Sequence, residues 1–66
     1  MQKMNIPTRN HLENVQRNVQ KGKATEKRII TWRCRLETTC TDIFQRQKAE
    51  ALLDRILAGE SVDLDA

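Results

Sequence analysis

The chain has 66 residues, 38% apolar and 32% charged, with a formal net charge of +3 and two aromatic side chains, Trp32 and Phe44. A chain this short buries only about 60% of the surface its unfolded form exposes, so it makes one domain with a thin core. No apolar run exceeds three residues, far below the roughly 20 that a membrane-spanning helix needs, and the opening residues lack the apolar segment of a secretory signal. A cytoplasmic protein with no membrane association is the expectation.

Charge is distributed unevenly. Residues 1–36 hold nine basic and two acidic side chains, a net +7, whereas residues 37–66 hold three basic and seven acidic, a net −4. Such polarity suits either a basic face for an anionic partner or two halves that attract each other within or between chains.

Residues 1–9 read as a loose arm, because Pro7 disfavours helix at Ile6 and nothing apolar repeats there. Asn10 and Glu13 then form a capping-box pattern ahead of Leu12, Val15 and Val19, which recur with helical spacing. Lys21 and Gly22 supply a cation and a left-handed cap, so a first helix is expected from about Asn10 to Lys21. Residues 22–25 connect, and Thr25 is suited to cap the next element.

The middle segment carries two periodicities. With period two, Ile30, Trp32, Cys34 and Leu36 alternate with polar residues, giving a strand at about 27–37 and a helix-strand-helix α+β fold. At 100° per residue, Ile29, Trp32, Leu36, Cys40 and Ile43 form one stripe instead. The helical reading is preferred, since a lone strand has no comparable partner in the chain. An all-α, three-helix domain results, with a break in the Thr38-Thr39-Cys40-Thr41 run. Asp42 and Gln45 repeat the capping-box pattern before a third helix whose apolar face is Ala49, Leu52, Leu53 and Ile56, ended by Gly59. Ile43 and Phe44 are expected to close over the core. Residues 60–66 read as an acidic, frayed tail.

Six cations, Lys21, Lys23, Lys27, Arg28, Arg33 and Arg35, lie within fifteen residues against Glu26 alone. Such a stretch can neutralise a phosphate backbone, so DNA or RNA is a candidate partner; a solvated surface is the plainer account. Helix 1 carries Asn10, Asn14, Gln16, Asn18 and Gln20 beside Arg9, Arg17 and Lys21, a set able to contact base edges and phosphates; the same set describes an ordinary exposed helix face, and the absence of a helix-turn-helix signature argues against sequence-specific DNA reading. Trp32 is more useful to a small core than to base stacking.

A second class of function is a protein adaptor or inhibitor, docking through Leu52, Leu53, Ile56 and Leu57. The same ridge would let the chain form a homodimer, the expected supplement to its thin core. Cys34 and Cys40 are expected as reduced thiols. With His11 they make three soft ligands and no Cys-x-x-Cys pair, which argues against a metal site. Nothing pairs a nucleophile with a base or builds a phosphate loop, so neither an enzyme nor a cofactor is expected.

Overall fold

A computed structural model describes residues 5–64, which form three α-helices: α1 Ile6–Gln20, α2 Glu26–Thr39 and α3 Ile43–Leu57. The described residues contain no strand. The period-two alternative fails on its own inner face: Trp32 and Leu36 are buried, but Ile30 is 60% exposed and Cys34 is also exposed. The 3.6-residue stripe places Trp32, Leu36 and Cys40 inside, with Ile29 half-buried beside them.

Helix α1 starts four residues earlier than the Asn10 pattern suggests. Asn5 is its N-cap and Pro7 stands in the first turn, where a missing N–H costs nothing and the fixed φ suits a helix. Proline here opens the helix instead of ending an arm, and the rest of the expected arm, residues 1–4, lies outside the described residues. Glu13, freed from any capping role, lies 3.6 Å from Arg9 one turn back. The other end is as expected: Lys21 is the C-cap and Gly22 takes φ +74°, a conformation glycine adopts without a Cβ penalty.

Thr25 caps α2, its Oγ1 accepting the Arg28 N–H at 3.3 Å. The break expected in the Thr38-Thr39-Cys40-Thr41 run is where α2 ends: Thr38 and Thr39 are still helical, both hydroxyls donating back to the Arg35 carbonyl, and the chain leaves the helix at Cys40. Asp42 caps α3 by accepting the Phe44 N–H at 2.9 Å. The reciprocal bond expected of Gln45 is not made, since its Oε1 is buried without a partner.

The core takes Leu12 and Val15 from α1, Trp32 and Leu36 from α2, and Ala49, Leu53 and Ile56 from α3. This corrects the expectation of an α3 docking ridge. Leu53 and Ile56 are fully buried within the one chain, and Leu52 and Leu57 are half-buried against the same cluster. Two other helices of modest apolar content need that ridge to enclose a common interior. Ile43 and Phe44, expected to close over the core, are instead 57% and 79% exposed. At 100° per residue Phe44 stands about 150° around α3 from the Ala49, Leu53 and Ile56 line, so it cannot reach inward.

The tail is also corrected. Val62 and Leu64 are each only 8% exposed and belong to the core. The Gln16 carboxamide holds the backbone of Val62 from both sides, accepting its N–H at 2.7 Å and donating to its carbonyl at 3.1 Å. Residues 60–64 therefore form a strap across α1, not a frayed end; residues 65 and 66 lie outside the described residues. No helix among those described is long and apolar enough to cross a membrane.

Candidate nucleic-acid interface

The rotation of α2 is fixed by Trp32 and Leu36 facing the core, and that rotation sorts its cations. Arg28 and Arg35, seven residues apart, fall within about 20° of each other on one flank, with Lys27 further toward solvent. Arg33 falls on the other flank, where its guanidinium bonds the Asp54 carboxylate of α3 at 2.9 Å. The six cations of the sequence motif therefore do not form one unit. Lys21 and Lys23 sit on the α1–α2 connector, next to the start of α2. Lys21, Lys23, Lys27, Arg28 and Arg35 are exposed and make no ion pair among the described residues. Over residues 14–35 Glu26 is the one acid, against seven lysines and arginines.

Across from Arg35, α1 contributes a polar flank. Pro7, Asn10, His11 and Asn14 face Arg35 and Thr39 over a cleft of about 360 Å3. Asn18 extends the stripe: its Nδ2 donates to the Asn14 carbonyl at 2.7 Å and to Asn14 Oδ1 at 3.3 Å. Asn14 thus has its side-chain acceptor engaged and its own Nδ2 donor unspent. Gln16, included with these amides on sequence grounds, is on the opposite flank and is committed to Val62.

His11 anchors this cleft. It is 7% exposed, and its Nε2 lies 2.9 Å from the Trp32 carbonyl. A carbonyl only accepts, so Nε2 carries the proton and donates. In the neutral ring Nδ1 is then an acceptor, and it makes no hydrogen bond among the described residues. His11 packs at the edge of the core, with the α1–α2 tie as its polar part. Pro7 and Thr39 carried no sequence signal as cleft residues, because their meeting depends on how two helices pack.

Trp32 is 6% exposed and is a core residue, as expected. Phe44 is exposed but stands in the first turn of α3, away from the basic flank, so no aromatic platform joins the cations. Cys34 and Cys40 are free thiols, one exposed and one buried. Among the described residues no three His, Cys, Asp or Glu side chains cluster as metal ligands would. A second, smaller cleft of about 160 Å3 between α2 and α3 is lined by Arg33, Leu36, Glu37, Glu50 and Leu53; its charges are mixed.

The fold and this corner define a class: a three-helix domain with a cationic connector and an amide-lined groove between its first two helices. Neither protein-family models, nor curated proteins, nor solved structures provide a match to the chain, so its function is inferred from the geometry of the corner.

Proposed function

We propose that this chain is a small non-enzymatic accessory protein that binds nucleic acid through the α1–α2 corner, with Lys21, Lys23, Lys27, Arg28 and Arg35 neutralising phosphates. One observation carries the proposal: these five side chains are exposed and make no ion pair among the described residues, in a stretch that a single acid interrupts. Cations held in salt bridges, as Arg33 is by Asp54, gain less from a phosphate because an existing partner must be released. An adaptor docking through α3 has less support, since two of its four anchors are interior residues.

The test is fluorescence anisotropy with labelled single-stranded and duplex oligonucleotides over a salt series. Five neutralised phosphates on a single strand give a log-log slope of about −3.5, or about a hundredfold loss of affinity between about 50 and 200 mM salt. Reversing two charges, Lys27→Glu with Arg28→Glu, should flatten that slope and weaken binding to every sequence alike. No binding to any oligonucleotide at the lowest salt would remove the proposal.

A further inference from the structure

The groove beside the cations is built differently from a surface that only neutralises charge. Its exposed residues Asn10 and Asn14 carry amides, of which the Asn14 oxygen is engaged by Asn18 and the Asn14 donor is unspent; among the described residues Arg35 makes no ion pair, and the nine-tenths-buried His11 keeps one ring nitrogen unbonded. With Nε2 donating to the Trp32 carbonyl, the neutral imidazole leaves an acceptor lone pair on Nδ1. A bare phosphate gains from Arg35 and the amide donors but not from an acceptor nitrogen or the Asn10 amide oxygen. A planar heterocycle with both donor and acceptor edges can use all of them.

We propose that the cleft of Pro7, Asn10, His11, Asn14, Arg35 and Thr39 receives an unpaired base of a single-stranded nucleic acid, an inference that rests on the nucleic-acid function proposed above. Shape supports the single strand. Bases in a duplex are read by an element that protrudes into a groove, whereas Asn10 and Asn14 face Arg35 across a concavity between two helices. An open cleft between two helices suits a base that has left the stack, the form in which single strands and loops present their edges. Arg28 and Arg35 lie on the same flank of α2, about 10 Å apart along it. A strand following that flank passes from the lysines of the connector to the cleft.

The experiment compares three probes of equal length over a salt series: a single strand, the same strand with its bases removed at abasic sites and its phosphates intact, and a duplex of the same sequence, whose second backbone doubles the charge. Each is titrated by anisotropy against the native chain, the Asn10→Ala/Asn14→Ala variant and the Lys23→Ala/Lys27→Ala variant. Both asparagines are exposed helical positions, where alanine favours helix, and circular dichroism confirms that the fold persists. The native chain should prefer the single strand over the abasic strand and the duplex by about tenfold, the effect of one well-made base contact. The asparagine variant should lose that preference and keep its salt slope; the lysine variant should keep the preference and lose slope. Equal affinity for the intact and abasic strands, or an asparagine variant that still discriminates, overturns the base site while leaving phosphate binding intact. Failure of all three probes to bind overturns the function beneath it.

Discussion

Replacing Gln16 by alanine should loosen the strap formed by residues 60–64 and cost the domain a large share of its stability. The side chain makes two hydrogen bonds to the Val62 backbone, at 2.7 and 3.1 Å, in a partly buried setting. Each contributes about 0.5–1.5 kcal/mol net, so their joint loss is about 1–3 kcal/mol. A single core of this size rarely supplies more than about 3–5 kcal/mol in total. Helix propensity works the other way, since alanine at this helical position returns a few tenths of a kcal/mol. At roughly 4–8 °C per kcal/mol for a domain of this length, the melting temperature should fall by about 5–20 °C. Thermal unfolding followed by far-UV circular dichroism measures the shift, and amide exchange at Val62 reports the strap itself. Leu64→Ala, which empties a second strap contact with the core, should act in the same direction. Unchanged melting in both variants, with a fast-exchanging Val62 amide in the native chain, would refute the strap.

Two further predictions separate interior from exterior. Leu53→Asp should abolish the folded state, because it places a carboxylate among fully buried side chains, whereas Phe44→Ser should leave the melting temperature within a few degrees; a folded Leu53→Asp protein would contradict the core assignment. Cys34 should react with a thiol reagent under native conditions while Cys40 reacts only on unfolding; mass spectrometry of the labelled protein distinguishes the sites, and equal labelling would contradict the burial of Cys40.

The helices are legible in the residues wherever a physical signal is both strong and local. Gly22 with Lys21, Thr25 and Asp42 mark helix ends through groups that lie within a turn of the bonds they satisfy. The start of α1 misleads because proline disfavours a helix interior but suits its first turn, and only the true position of Asn5 tells the two apart. The strap is hidden for another reason. Acidic residues Glu60 and Asp63 dominate its composition, while Gln16, which holds it, is 46 positions away and looks like any exposed amide. The candidate interface is half legible. The positive stretch is plain in the sequence, yet which cations share a side depends on the rotation of α2, which sends Arg33 to Asp54 and leaves Arg35 facing α1. The α3 ridge looks like surplus apolar surface because the contribution of Val62, Leu64 and Trp32 to one enclosed interior depends on packing.

The connectors are short, residues 21–25 between α1 and α2 and 40–42 between α2 and α3. Helices joined so closely meet with little entropy of loop closure, which places the bundle among chains that assemble in microseconds to milliseconds. The α1–α3 packing is non-local, and so is the strap, which must find a partner 46 residues back. If the strap closes last it is absent from the transition state, and Gln16→Ala should then accelerate unfolding and leave the rate of folding almost untouched in a stopped-flow denaturant series; the last five described residues would set how long the native state survives, not how quickly it arises.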